Sequence, residues 1–273
     1  MSWNWRGMRA IMRKDLKQVF QNTMVWVPFI IVPLVLMVLL PLGLVMLPTI
    51  SIDELKPDDL AGLFNAMTAD LRARMASLSL AQSWVVLSAN YMFMPMFLIT
   101  PLMISGIIAA DGIAGEKERK TLEGLLYTPL SDNELFITKV LTALVPALVV
   151  EIVGFIIYAF TVNLGGYHIM HRMFFPEPSW WPLVFFVGPG VSLVGLGATV
   201  LVSSKAKTFM SAQQASGLLV LPLLFLMIGQ FAGLFFLTPA TVWVVGLIFW
   251  AFGALVIWVG AKTFTRGELI ARI

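Results

Sequence analysis

Three groups of residues in this chain have types and spacings that suit chemistry. The first is DGIAGEKERKTLEGLLYTP, residues 111–129, where Glu116, Lys117, Glu118, Arg119, Lys120, Thr121 and Glu123 crowd charges of both signs together. Such a surface recognises a partner of complementary charge and performs no reaction by itself. The second is Glu151, the one acid inside an apolar run, with Gly154, Phe155 and Tyr158 on its face at helical spacing. A carboxyl in hydrocarbon is costly enough to mark a cation or proton site, or a polar point on a substrate path. A hydrogen-bonded link between helices reads equally well. The third is His168 and His171, an H-x-x-H with Glu177 nearby. Two histidines on a loop are thin ground for zinc or copper, and interface histidines are the plainer reading, so no metal site is assigned.

Several chemistries are excluded. The chain has no cysteine, hence no disulfide, thiolate metal site or cysteine nucleophile. No Gly-Lys dipeptide occurs, so no G-x-x-x-x-G-K-[ST] phosphate loop can be drawn. The apolar runs hold no paired aspartates, no Ser and His pair and no H-E-x-x-H, which argues against an intramembrane enzyme. No catalytic residue is assigned.

The elements that must position these groups are membrane helices. Only 12% of the 273 residues are charged, against about a quarter in soluble domains, and the mean hydropathy is +0.90. Six apolar runs are long enough to cross about 30 Å of hydrocarbon: 24–48, 84–110, 140–164, 180–202, 210–237 and 241–261. Lipid offers backbone groups no water, so each run must be helical. The first follows about two dozen polar and basic residues without a cleavage pattern, and is read as a retained span. Fourteen of the 18 Lys and Arg fall on the side that holds both termini and residues 111–139. That bias predicts cytoplasmic termini in a cell membrane. The net charge of +3 is spent on this topology and calls for no nucleic acid.

Between the runs the pattern is more specific. Over residues 3–22, Trp5, Met8, Met12, Leu16 and Val19 share one helical face beside Arg6, Arg9, Arg13 and Lys17, which predicts an interfacial helix. The alternative is a solvated leader whose charges only fix topology. Residues 49–83 form the largest external loop, with a helix expected from Pro57, Asp58 and Asp59 through Met75. Trp84, Trp180 and Trp181 are placed at the membrane surface. Runs five and six, separated by Thr238, Pro239 and Ala240, predict a tight hairpin. Gly246, Gly253 and Gly260 in the last run, with Gly188, Gly190, Gly195 and Gly197 in the fourth, read as helix-packing seams. Asn90, Tyr91, Gln213, Gln214 and Gln230 suit interhelical hydrogen bonds or a pore lining. Residues 112–128, with Leu122, Leu125 and Leu126 as an apolar face, predict a short charged helix under the membrane, stopped by Thr128 and Pro129. A solvated loop that only resists translocation is the alternative. Ser131 to Glu134 then cap the third span.

GEKERKTLEGLLYTPLSDNELFITK, residues 115–139, resembles the signature between the second and third spans of ABC-2 type transporter permeases: a charged E-K-E-R-x-T-L-E segment, a leucine pair, T-P, and a polar helix start ending in Lys. The basic N-terminal helix, six spans, long first external loop and final hairpin match in order, so the likeness covers essentially residues 1–273 as one transmembrane domain. SSKAKTFMSAQQASGLLVLPL, residues 203–223, is similar to the subgroup that includes sodium-export permeases, whose external domain is typically larger.

The resemblance implies an all-α, six-span exporter subunit that pairs with a second permease copy and with two soluble ATPases. ATP and Mg would be bound by those partners, and the chain itself would hold no cofactor. By position, Glu116, Lys117, Glu118, Arg119, Thr121 and Glu123 would form a coupling helix against the ATPase, with Lys205 and Lys207 adding a smaller contact. Glu151 and Tyr158 are candidates for a substrate or ion path. A second function fits the same pattern: a membrane component passing force from an ATPase to an external protein without moving a solute. The substrate is not written in the sequence.

Overall fold

In a computed structural model, residues 3–50, 67–121, 124, 127–206, 208–232, 234 and 237–263 are described. Among them the chain forms eight helices and no strand. They are α1 (Trp5–Gln21), α2 (Val25–Thr49), α3 (Ala69–Met75), α4 (Leu80–Glu118), α5 (Asp132–Met170), α6 (Trp180–Ser203), α7 (Phe209–Gln230) and α8 (Pro239–Lys262). All except α1 and α3 are long and apolar enough to cross a membrane. The chain is an all-α multi-pass membrane protein.

Local sequence accounts for where these helices begin. Asn4 caps α1 by accepting from the Gly7 N–H at 3.0 Å. Ser131 and Glu134 make a reciprocal capping box at the head of α5, as their order predicts. Thr68 caps α3, whose Leu71 and Met75 are buried. The earlier helix start expected at Pro57 to Asp59 lies outside the described residues.

α4 and α6 are the most enclosed spans, and small residues on α6 let its neighbours approach. Gly190 and Gly197 face Trp250, Val256 and Ile257 of α8, while Gly246 and Gly253 of α8 face Phe186 and Leu193 of α6. The predicted seam is one interface between α6 and α8. The other α6 pair serves different neighbours: Gly195 meets the Leu102 carbonyl and Ser105 of α4, and Gly188 meets Glu151 of α5. Apolar side chains on the outer faces are exposed, Phe160 and Leu164 on α5, Phe225 on α7, Leu247 and Trp258 on α8 among them. A soluble protein would hide such a belt; hydrocarbon is its natural solvent.

Three expectations are corrected. The charged segment does not begin a separate helix at 112: α4 runs on through Glu118, with a π-helical turn over Asp111–Gly115. No residue between Ala110 and Glu116 forces a break, because the wider turn absorbs both glycines. The hairpin before α8 is looser than Thr238 to Ala240 suggests, since the helical stretch Leu221–Phe231 that closes α7 ends well before Thr238 and the Leu234 N–H closes on the Gly229 carbonyl at 2.9 Å. Trp180 is no surface anchor. It is fully buried, stacked on Tyr158 with ring centroids 5.0 Å apart and edge-on to Phe175, while Trp181 is half exposed.

Candidate functional site

The charged end of the bundle is built from four helices that meet at the foot of α4. α1 turns Met8, Ile11 and Val19 inward against Ile104, Ile107, Leu135 and Phe136. Asp15 lies on that same buried stripe and is 5% exposed. A lone carboxylate there would be unfavourable, and a cation answers it. Lys139, near the start of α5 and equally buried, donates to Asp15 at 2.7 Å and to Glu116 at 3.0 Å. Lys14 completes the group by bonding the other Glu116 oxygen and lying 3.3 Å from Asp15. Burial alone would lower the Lys14 ammonium, but the hydrogen bond and charge of Glu116, with Asp15, hold it above the ordinary lysine value.

A second set of contacts fixes the last turns of α4. Arg119 folds back to donate to the Asp111 carboxylate at 2.9 Å and to the Asp111 carbonyl at 3.2 Å. Asp111, itself buried, also accepts from Asn22 at 3.3 Å. Glu118 accepts from the Phe209 N–H at 2.9 Å, placing its negative charge where the first turn of α7 is positive. Glu134 joins the opposite side by accepting from the Asn4 N–H at 2.7 Å. The end of α4 is thereby tied to α1, α5 and α7.

The helix then stops by a definite device. The Thr121 N–H reaches the Glu116 carbonyl at 2.9 Å and the Lys120 N–H reaches Lys117 at 3.0 Å. Lys120 takes φ 55° between them. This is the left-handed closure usually given to glycine, here made by a lysine. The turn ends α4; Gly124 beyond it is helical again, and the predicted apolar face of Leu122, Leu125 and Leu126 lies outside the described residues.

The residues predicted for this surface therefore separate. Glu116 is completely buried and points to Lys14 and Lys139. Glu118, Arg119, Lys120 and Thr121 form an exposed rim, with Lys117 half-buried beside them. Lys205 ends the helical stretch Gly188–Lys205 that continues α6, and Glu123 and Lys207 lie outside the described residues. Tyr127, 89% exposed, is the most exposed large hydrophobic side chain among the described residues. Sequence reasoning passed over Tyr127, Asp15, Asp111 and Lys139 as pairing groups. The available signal was Asp15 itself, an acid four residues from both Ile11 and Val19 on the inner stripe.

The mid-span group is elsewhere. Glu151 sits at the midpoint of α5 and is 1% exposed, and its Oε1 has no hydrogen-bond partner. Tyr158, two turns on, donates to the Ala89 carbonyl of α4 at 2.7 Å. At the far end, Glu177 accepts from Tyr91 at 2.7 Å and from Arg74 at 2.9 Å, so it does not join His168 and His171. Among the described residues no three His, Cys, Asp or Glu side chains gather as metal ligands would.

An all-helical bundle of six spans, with one span prolonged into a charge-locked foot, defines a multi-pass membrane component rather than a soluble or barrel protein. The chain belongs to the ABC-2 family transporter protein family, whose pattern it matches over residues 9–269. It is thus a permease of the ABC transporter class, a family that generally works with ABC ATPase subunits. A comparison with curated proteins finds no match.

Proposed function

We propose that this chain is the membrane subunit of an ATP-driven exporter in a cell membrane, with the charged end and both termini in the cytoplasm. One observation carries the reading. α4 carries on past the bundle core through a π-helical turn at Asp111–Gly115, with no loop, and ends in an exposed polar rim, while ion pairs of the buried Glu116 fasten that end to α1 and α5. At 39 residues α4 is much longer than the roughly 20 that cross the hydrocarbon, so its foot stands clear of the membrane and serves as a lever.

Two soluble ATPases, holding ATP and Mg, would seat on Lys117, Glu118, Arg119 and Thr121, with Glu123, Lys205 and Lys207 contributing beside them. Tyr127 adds the aromatic anchor that such contacts favour. Glu116 works from behind, transmitting displacement of the rim to α1 and α5 through Lys14 and Lys139. A second permease copy would complete the pathway, along which Glu151 and Tyr158 mark the polar points.

The test is co-purification of the detergent-solubilised chain with its co-expressed candidate ATPase. Wild type should retain the ATPase, and Tyr127→Ala should weaken retention at least tenfold, about 1.4 kcal/mol, with the thermal midpoint unchanged. A wild-type chain that retains no ATPase would remove the mechanism.

A further inference from the structure

We propose that Glu151 is a proton-binding site, closed by the packing of α5 against α6 at Gly188. Glu151 is at the midpoint of its span, almost fully buried, with Oε1 unpartnered. Its carboxyl fills the place where a side chain on Gly188 would stand: a single methyl group there would collide with both carboxyl oxygens. One turn further along α6, Ser192 is also completely buried, and its hydroxyl likewise has no partner. Helical spacing puts Ser192 on the Gly188 side of α6. Two orphaned polar groups thus border one interface in the middle of the bundle.

Among the described residues no cation is bonded to Glu151. α2, α6 and α7 carry no Asp, Glu, Lys, Arg or His, α8 carries only Lys262 at its end, and the charged residues of α4 (Asp111, Glu116, Lys117 and Glu118) all stand at its charged foot. Toward the opposite end stand Tyr158, bonded to the Ala89 carbonyl, Tyr91 on α4, bonded to Glu177, whose carboxylate also meets Arg74, and Tyr167 and His168 in the last turn of α5. The nearest lysine along α5, Lys139, is committed to Asp15 and Glu116. A carboxylate with neither cation nor donor is strongly disfavoured in such a place, and a single proton neutralises it without needing room.

The helices around Glu151 are also irregular at the positions that face it and its neighbours. α6 makes a π-helical turn at Leu183–Val187, directly before Gly188. α2 makes one at Val35–Leu39, whose Met37 packs on Gly154 of α5. α4 makes one at Ser88–Met92, whose Ala89 carbonyl receives the Tyr158 hydroxyl. Three wide turns on three helices converge on one stripe of α5 from Glu151 to Tyr158. Such turns recur at functional sites, where they bring helix faces out of regular register. Motion that parts α5 from α6 would admit water to Glu151 and release its proton. That consequence rests on the permease reading; the site itself does not.

The experiment is infrared difference spectroscopy on the purified full chain at neutral pH, wild type against Glu151→Gln, in H2O and D2O. The protonated carboxyl band should be present in wild type, shift in D2O and vanish in Glu151→Gln. Gly188→Ala, which expels the carboxyl from its seat, should weaken or displace that band. Glu151→Asp should move it without abolishing it, which keeps the test sound if Gly188→Ala does not fold. A wild type without a protonated carboxyl band attributable to Glu151, whether its carboxylate is bare or holds a metal cation, overturns the proposal. No arm includes an ATPase, so failure here and failure of ATPase capture are separate results.

Discussion

Lys139 binds three helices through one side chain. It is 7% exposed and answers two buried carboxylates on different helices, Asp15 of α1 and Glu116 of α4. Replacing such a partner by an apolar residue strands the opposite charges, which costs roughly 3–5 kcal/mol where the pair is well buried. Lys139→Met is therefore expected to lower the thermal midpoint in detergent strongly. A Lys139→Met, Asp15→Leu double variant should recover part of the loss, since Lys14 can still serve Glu116. Equal midpoints for wild type and Lys139→Met would show the ion cluster to be structurally idle. Tyr127 has the opposite character. Its near-complete exposure makes its removal harmless to the fold, which is why it is the clean probe of partner binding.

Helix packing depends on the absence of side chains as much as on their presence. Gly197 has Val256 and Ile257 of α8 at contact distance, and Gly253 lies over the Gly190 carbonyl and Leu193 of α6. Close backbone approach of this kind substitutes, in lipid, for the hydrophobic drive available in water. Gly197→Leu should push α8 away from α6 and give a chain that aggregates on extraction, visible as a shift to the void in size-exclusion chromatography. Gly43 has nothing within 4 Å of where its side chain would begin, so Gly43→Ala should elute as wild type. If both variants behave alike, the α6 to α8 seam does not hold the bundle. Periodicity showed that the glycines were arranged in stripes. It did not show that Gly188 and Gly195 turn to α5 and α4 while Gly190 and Gly197 turn to α8, because that depends on how the helices cross.

At the scale of the whole molecule, the two polar ends are distinct: an ion cluster with an exposed rim beyond α4, and the Arg74, Glu177 and Tyr91 contacts at the opposite end. Orientation can be tested directly because the chain has no cysteine of its own. In sealed right-side-out vesicles, Ser77→Cys is expected to react with a membrane-impermeant maleimide and Tyr127→Cys only after permeabilisation; the reverse pattern would invert the proposed topology. The sequence by itself determined that this is an all-α membrane protein of six spans and to which family it belongs. Hydrocarbon thickness and backbone hydrogen bonding leave an apolar run of that length no other form. It also marked the charged segment and Glu151, because charge is conspicuous in an apolar chain. Only the tertiary structure decided which charges face outward. Glu116 and Arg119 lie three residues apart in one motif, yet one is sealed against Lys14 and Lys139 and the other folds over Asp111 at the surface. The role of Glu116 is set by Lys14, about a hundred positions away in α1, and by Lys139 in α5, and such pairing between helices leaves no period in the sequence to read.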